Sequence, residues 1–205
     1  MPKKEATTNE TKQVIEIYNK IATEYTNNTE NKLLQFQLTK FASMLTKKGK
    51  VLDAGCGCGR DSVYLKEDGF EVISMDLSKG MIQEAKKRGV EVIKKDLLKI
   101  EDKEEFDGIW CMATLADMQK SEAKQVIKRF NESLKKEGII YIAVKEGEGE
   151  KTIIKEKYNN IPRFYAFYKK EELENLLKEN NFEILESTSS NDEGTDWIEI
   201  FAKKK

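Results

Sequence analysis

The residues whose type and spacing most clearly indicate a chemical role are glycines at alternate positions of a short segment. The sequence Val-Leu-Asp-Ala-Gly-Cys-Gly-Cys-Gly-Arg-Asp occupies positions 51–61, so that glycine stands at 55, 57 and 59. Glycine lets the backbone turn sharply and lets a ligand come close to the main chain. A helix that begins after such a loop offers free N–H groups and a positive dipole end to an anionic group. By itself, this pattern indicates a nucleotide-like ligand.

Two familiar phosphate-binding loops do not fit this spacing, but three acids support a nucleoside site. A dinucleotide fingerprint needs its third glycine at Arg60, and the Gly-Lys-Ser/Thr of a Walker loop is absent from the segment. Asp53 ends the apolar run before the glycines. Asp76 ends the next apolar run, roughly 20 residues beyond the loop, where such folds bind two ribose hydroxyls. The pair Asp96-Leu97 suits an exocyclic amine and a flat adenine ring.

The elements that must position these residues alternate between strands and helices. Short apolar runs predict strands at 50–54, 70–75, 90–94, 106–111 and 138–144. Helical periodicity predicts helices at about 10–26, 34–49, 61–67, 78–88, 121–135 and 169–180. Two closing strands are expected at 182–186 and 197–202. Strands that alternate with helices imply βαβ units, a mostly parallel sheet and helices on both of its faces.

The chain is expected to form one domain over residues 1–205, because its length suits a single core and no linker composition interrupts it. Within it, residues 1–48 are predicted to be a helical cap. Residues 145–168 break the alternation with glycines, glutamates and aromatic residues, and this segment is too long for an ordinary connection. It is predicted to be a lid or a disordered insertion.

Composition excludes several classes of function. The 36 basic and 37 acidic residues nearly cancel, so the chain lacks the basic surplus typical of nucleic-acid-binding proteins. The chain has no histidine, which excludes Ser/His/Asp and histidine–zinc chemistry. Three cysteines, a polar start and no membrane-length apolar run predict a cytoplasmic protein without membrane contact. We expect no metal, since the Cys-x-Cys pair and one distant cysteine lack a fourth ligand.

From about residue 51 to 144, these motifs in this order resemble the Rossmann-like (class I) family of S-adenosylmethionine-dependent methyltransferases. The segments at 145–149 and 163–168 resemble the small-molecule branch of that family. The segment Tyr-Asn-Lys-Ile-Ala-Thr-Glu-Tyr at 18–25 is similar to the family's N-terminal helix, which often lies over the cofactor. The resemblance implies a Rossmann-like, doubly wound α/β sheet with an antiparallel last strand and N-terminal helices as a cap. It also implies S-adenosylmethionine as the cofactor.

The resemblance further implies which residues contact the cofactor: Tyr18, Tyr25, Asp53, Ala54, Gly55, Cys56, Gly57, Gly59, Arg60, Asp76, Leu77, Asp96, Leu97 and Cys111. Asp117 stands near the position where small-molecule relatives often carry histidine. If the acceptor arrives protonated, Asp117, Glu146 and Tyr165 are the candidate bases. Arginine is rare in the chain, so Arg163 is predicted to use its planar fork to bind an anionic group of the substrate.

The expected partner is a small-molecule acceptor, and the protein is expected to be a monomer or homodimer. Two alternatives remain open from the sequence. One is a methyltransferase that acts on tRNA, other RNA or protein. The other is a protein that binds S-adenosylmethionine without catalysis.

Overall fold

A seven-stranded sheet forms the centre of the computed structural model, which describes residues 7–154 and 160–205. The order in the sheet is β3-β2-β1-β4-β5-β9-β8. The first five of these strands are parallel, and β9 is antiparallel to both of its neighbours. The strands are β1 (Lys50–Ala54), β2 (Glu71–Asp76), β3 (Val92–Lys94), β4 (Phe106–Met112), β5 (Leu134–Lys145), β6 (Glu150–Ile153), β7 (Arg163–Ala166), β8 (Phe182–Asp192) and β9 (Thr195–Lys204). This topology confirms the predicted fold class, including the antiparallel last strand.

Six α-helices accompany the sheet in the described part of the chain, and local capping chemistry defines several of their ends. They are α1 (Asn9–Thr29), α2 (Gln35–Met44), α3 (Arg60–Glu67), α4 (Lys79–Lys87), α5 (Lys120–Ser133) and α6 (Lys170–Glu179). The Thr8 and Ser78 side chains cap α1 and α4 by accepting from backbone N–H groups three residues later. Gly69 and Gly89, both at positive φ, follow the ends of α3 and α4. All six predicted helices therefore occur, and the largest shift is at α2, which ends at Met44 rather than near Gly49.

The hydrophobic core lies on both faces of the sheet because consecutive strand residues point in opposite directions. On one face, Leu52 and Ile109 pack with the apolar side of α5. On the other face, Val51 packs beneath α2 in a cluster that contains Trp110 and Tyr141, whose rings stack 4.0 Å apart. Every residue named here is fully buried. The sheet is thus covered on both sides, as parallel strands require.

Two boundary predictions were wrong. The helix predicted to reach 135 ends at Ser133, because Leu134 already pairs with Phe106 and begins β5 before an irregularity in the register. The closing strands are also longer than predicted: β8 and β9 remain paired out to Asp192 and Thr195. Their outer halves carry mostly polar, exposed side chains, so that no apolar alternation marked them in the sequence.

The predicted insertion at 145–168 includes a small antiparallel sheet in its described part. β6 and β7 pair from Glu150 with Ala166 to Ile153 with Arg163. The alternative of a disordered insertion is therefore wrong for these strands, while residues 155–159 lie outside the described residues. The division into one domain with a cap and a lid stays a prediction.

Candidate functional site

The glycine loop after β1 has the backbone geometry that only glycine adopts readily. Gly55, Gly57 and Gly59 have φ values of 76°, 53° and 76°. A Cβ at position 55 would lie 2.3 Å from the Thr114 hydroxyl, whereas a Cβ at position 57 would meet nothing within 4 Å. Gly55 therefore permits close packing against the segment after β4. Gly57 faces open space, where a ligand can approach the main chain.

Asp76, at the end of β2, is held against this loop by the backbone. One carboxylate oxygen accepts from Gly57 N–H at 2.9 Å, and the other accepts from Ser78 N–H at 2.8 Å. Burial raises the pKa of Asp76, and these N–H donors oppose the rise. Each oxygen keeps further acceptor capacity, since a carboxylate oxygen can take two hydrogen bonds. The side chain lines a cavity beside the loop, so it can present two acceptors to a pair of donors.

Two cavities open at the carboxyl ends of the parallel strands. The narrow cavity, of about 140 Å³, lies between Asp76, Asp96 and the roof formed by α1. The wide cavity, of about 510 Å³, extends from the glycine loop to β7 and the β8–β9 turn. Both are lined by a common set of residues, which we call the junction: Tyr18, Tyr25, Gly55, Gly57, Met112, Ala113 and Asp117.

Helix α1 roofs the narrow cavity and is fastened on both of its sides. On one side, the Asn19 side-chain oxygen accepts from Ser78 Oγ and Gly80 N–H, at 2.9 and 3.2 Å. A Cβ at position 80 would lie 2.8 Å from the Asn19 carbonyl oxygen, so glycine there lets α1 pack closely on α4. On the other side, the Thr7 hydroxyl donates to Asp96 at 2.6 Å.

The buried Glu122 carboxylate completes this second attachment. It accepts from Thr8 N–H, from the hydroxyls of Thr8 and Thr11, and from Gln119 N–H, at 2.5–3.1 Å. Its acceptor capacity is thus filled largely by α1 and the residue before it. The contacts with Thr8 and Thr11 attach the start of α1 to the start of α5, and both Thr11 and Glu122 line the narrow cavity.

At the junction, Arg163 of β7 joins Asp117 and Tyr18. Its Nη2 donates to both Asp117 carboxylate oxygens, at 2.6 and 2.8 Å, and to the Tyr18 hydroxyl. Tyr18 in turn donates to Asp117 at 2.6 Å. The guanidinium carbon lies 4.2 Å from the Tyr18 ring centroid and 4.7 Å from that of Tyr165. Burial is the largest influence on Arg163 and lowers its pKa, but Asp117 and the neighbouring tyrosines together outweigh burial, so the pKa of Arg163 is raised.

A second buried carboxylate group lies beneath the glycine loop. Asp53 is 3 % exposed and accepts from the Ser62 hydroxyl at 2.5 Å. Burial, reinforced by the neighbouring charge of Asp61, raises the pKa of Asp53 to about 8. Asp61 accepts from Arg60 Nε at 2.8 Å and from the Trp110 indole at 2.9 Å. Asp53 is therefore largely protonated at neutral pH, and Arg60 is paired.

The predicted site residues differ in where the structure places them. Around one or both cavities the structure gathers Tyr18, Tyr25, Asp53, Gly55, Cys56, Gly57, Arg60, Asp76, Leu77, Asp96, Leu97, Asp117, Arg163 and Tyr165. Ala54 and Gly59 belong to the loop without lining either cavity, although the Ala54 carbonyl accepts from Thr114 at 2.7 Å. Cys111 is fully buried in the core, and burial raises the pKa of its thiol to about 12.

Glu146 lies outside both cavities and forms an isolated bridge with Tyr168, so the structure does not bring this predicted base to the site. Sequence reasoning missed Thr11, Thr114, Glu122 and Lys145. Lys145, at the end of β5, and Thr114, just after β4, stand at the carboxyl ends of parallel strands, where strand topology alone points to a site. Within residues 7–154 and 160–205, no group of three or more potential metal ligands occurs, and no helix is long and apolar enough to cross a membrane.

Comparison with known proteins shows similarity to methyltransferases. Residues 51–138 match a family model described as a methyltransferase domain. A provisionally named methyltransferase of Geobacillus sp. strain WCH70 is 28% identical over 135 residues, which cover 62% of this chain and 54% of that protein. The chain thus spans about half the length of this curated relative.

Solved structures of low identity share the fold. The 1,6-didemethyltoxoflavin-N1-methyltransferase of Burkholderia thailandensis is 20% identical, with a TM-score of 0.71 over 98% of this chain and 93% of that one. The [4+2]-cyclase SpnF is 15% identical, with a TM-score of 0.77 over 97% of each chain. Residues 51–138 of the chain thus form a methyltransferase domain, and the sheet order and glycine loop give it the Rossmann-like (class I) methyltransferase fold.

Proposed function

We propose that this protein transfers the methyl group of S-adenosylmethionine to a small organic acceptor. In this proposal the narrow cavity receives the adenosine part of the cofactor, and the wide cavity receives its amino-acid part and the acceptor. The proposal concerns the activity of the whole protein, of which the matched domain is the core.

The observation that carries the proposal is the position of Asp76. Two backbone N–H groups orient its carboxylate at the wall of the narrow cavity, beside Gly57, whose main chain is open to a ligand. Two acceptor oxygens match the two vicinal hydroxyls of a ribose. Hydrogen bonds to charged groups are worth on the order of 1.5–3 kcal/mol each, so this contact would contribute a large part of the cofactor affinity.

The rest of the narrow cavity fits an adenine ring. Leu97 and Leu98 supply apolar surface at one end, and Asp96 supplies an acceptor for an exocyclic amine. The Thr7 hydroxyl bonds to one Asp96 oxygen, and Leu98 N–H donates to the other at 3.0 Å. A carboxylate can accept more than these two bonds, so Asp96 can bind an amine without releasing the roof.

When bound, S-adenosylmethionine supplies a methyl group activated by the sulfonium, and its departure leaves a neutral thioether. The contribution of the chain is to hold the two reactants in line and to exclude water. Tyr18 and Tyr25 from the roof, and Ala113 after β4, face the junction where the two cavities meet. The contacts of Arg163 with Tyr18 and Asp117 close the junction from the side of β7.

The wide cavity suits an organic acceptor of modest size. Its walls include Tyr25, Tyr165 and Trp197, which offer flat apolar surface beside polar groups. Asp117 and Tyr165 remain the proposed bases for an acceptor that arrives protonated, and Arg163 the proposed contact for an anionic group. The full name of the Burkholderia relative specifies a small-molecule acceptor, which supports the same substrate class here.

Titration calorimetry with S-adenosylmethionine and S-adenosylhomocysteine tests the cofactor assignment. We expect both ligands to bind the wild-type protein and Asp76→Asn to weaken both by about tenfold or more, because one acceptor oxygen and the charge are lost. Asp107→Asn is the matched control. The Asp107 carboxylate accepts from Lys50 N–H at the opposite edge of the sheet, so this variant should leave the affinity for both ligands unchanged. Unaltered binding by Asp76→Asn would refute the ribose assignment.

A methyl-transfer screen tests the acceptor class. The labelled cofactor would be incubated with pools of amines, thiols, carboxylates and phenols, and separately with bulk tRNA and protein extract. Transfer into a small-molecule pool supports the proposal. Transfer only into RNA or protein would replace it with the macromolecular alternative, and tight binding without transfer into any pool would replace it with non-catalytic binding.

A further inference from the structure

The contact between Arg163 and Asp117 is an ion pair at the one place common to both cavities. The Arg163 side chain is 8 % exposed and that of Asp117 is 16 % exposed, so solvent screens the pair only partly. Asp117 lines the narrow and the wide cavity, whereas Arg163 lines only the wide one. The carboxylate is thus nearer to the junction, and the guanidinium stands behind it.

We propose that Arg163 is a positioning residue that neutralises Asp117 and thereby sets the charge at the junction where the transferable methyl group must lie. The inference rests on the proposed function, because a cofactor that spans both cavities passes this junction. The carboxylate keeps its hydrogen bonds to Tyr18 and Arg163, while the net charge of the pair is zero.

Neutralisation of Asp117 matters because the charge on the cofactor sulfur changes during methyl transfer. In methyl transfer the carbon–sulfur bond breaks, its electron pair stays on sulfur, and an acceptor lone pair forms the new bond to carbon. The sulfur therefore loses its positive charge as the reaction proceeds. An unpaired carboxylate beside it would stabilise the charged cofactor more than the transition state, which would slow transfer. Paired with Arg163, Asp117 contacts the junction without this electrostatic penalty.

Two further contacts indicate that the pair is built into the site. The guanidinium lies between the rings of Tyr18 and Tyr165, both within the usual range of cation–π contacts. These rings come from the roof and from β7, so the pair also fastens two elements that close over the cavities. A lysine at this position would keep the charge but lose the planar stacking.

The test compares affinities for S-adenosylmethionine and S-adenosylhomocysteine, which differ at sulfur by one methyl group and one positive charge. The measured quantity is the ratio of the two Kd values at constant pH and ionic strength. Arg163→Met exposes the Asp117 charge and should shift the ratio by about threefold or more in favour of the sulfonium. Asp117→Asn leaves Arg163 unpaired and should shift the ratio in the opposite direction by a similar factor.

The double variant Arg163→Met/Asp117→Asn should return the ratio to the wild-type value, because the junction is again uncharged. Arg163→Lys keeps the charge and should also keep the ratio, whatever happens to the individual affinities. Arg88→Met is the matched control: Arg88 pairs with Glu30 outside both cavities, so its loss should leave the ratio unchanged.

A purely structural role for Arg163 predicts that both affinities fall together. An unchanged ratio in Arg163→Met and Asp117→Asn would therefore overturn the inference. If Arg163→Met does not fold, the isosteric Asp117→Asn decides the question alone through the sign of its shift. A wild-type protein that binds neither ligand would instead refute the proposed function itself.

Discussion

Replacing Asp53 with asparagine should make the protein more stable at neutral pH. The carboxyl group is 3 % exposed, and its pKa is raised from 3.8 to about 8, chiefly by burial. Asparagine has nearly the same shape, can still accept from the Ser62 hydroxyl and never ionises. The variant therefore removes the cost of placing an ionisable acid in this position without changing the packing.

The magnitude follows from proton linkage. The unfolded chain ionises Asp53 above about pH 4, whereas the folded chain retains the proton up to about pH 8. Because the folded pKa is raised, folding at a pH between these two values requires Asp53 to take up a proton. Asp53 therefore lowers the free energy of unfolding of the wild type progressively as the pH rises from about 4 towards 8. The stability advantage of Asp53→Asn over wild type should grow by about 1.4 kcal/mol per pH unit between pH 5 and 7, or roughly 3 kcal/mol in total.

Urea unfolding of both proteins at pH 5, 6 and 7 measures this growth. The difference in free energy of unfolding isolates the one group, since all other titrating residues are common to both proteins. Asp107→Asn provides a control: the pKa of Asp107 is lowered, so both of its states are ionised over this range and its difference should stay flat. A flat difference for Asp53→Asn as well would refute the reasoning that burial keeps this acid protonated.

Three further predictions concern the loop, the roof and the core. Gly55→Ala should lower the free energy of unfolding by about 2 kcal/mol or more, since its Cβ would clash with Thr114. Gly57→Ala should lower it by only about 1 kcal/mol, yet should weaken the binding of S-adenosylhomocysteine measured by calorimetry. Glu122→Ala should lower the free energy of unfolding by about 2–3 kcal/mol and speed proteolytic cleavage within α1, because several donors lose their acceptor. Unchanged cleavage would show that other contacts hold the roof. Trp110→Phe should cost about 2 kcal/mol in urea unfolding, because Asp61 loses the indole donor.

Local pattern predicted the sheet and helices well because each depends on residues near in sequence. The apolar run before the glycines predicted a buried strand, and the glycines after it predicted a sharp turn of the backbone. Asp76 could be predicted at the site because it ends the apolar run that lies roughly 20 residues beyond the glycine loop. The outer half of β8 escaped prediction, since its polar residues face solvent and its register comes only from pairing with β9.

The contacts that close the site could not be predicted in the same way. Glu122 reads in the sequence as an ordinary acid in the first turn of a helix, and its role at the narrow cavity depends on Thr8 and Thr11, more than 100 residues away. The rarity of arginine in the chain indicates a special role for Arg163, but the sequence could not show that Asp117 pairs with it. Such partners are set by how α1 and β7 pack, which is a property of the whole fold.

Asp53, Asp76 and Asp117 all line the cavities, and the fold stabilises each of them by a different means. Asp53 keeps its proton, Asp76 accepts from two backbone N–H groups, and Asp117 pairs with an arginine. The same substitution should therefore give three distinct results. Asparagine at 53 should change the pH dependence of stability, and at 76 it should weaken both cofactor forms equally, since both carry the ribose. At 117 it should change the preference between them, because only there does the carboxylate face the charge that methyl transfer removes.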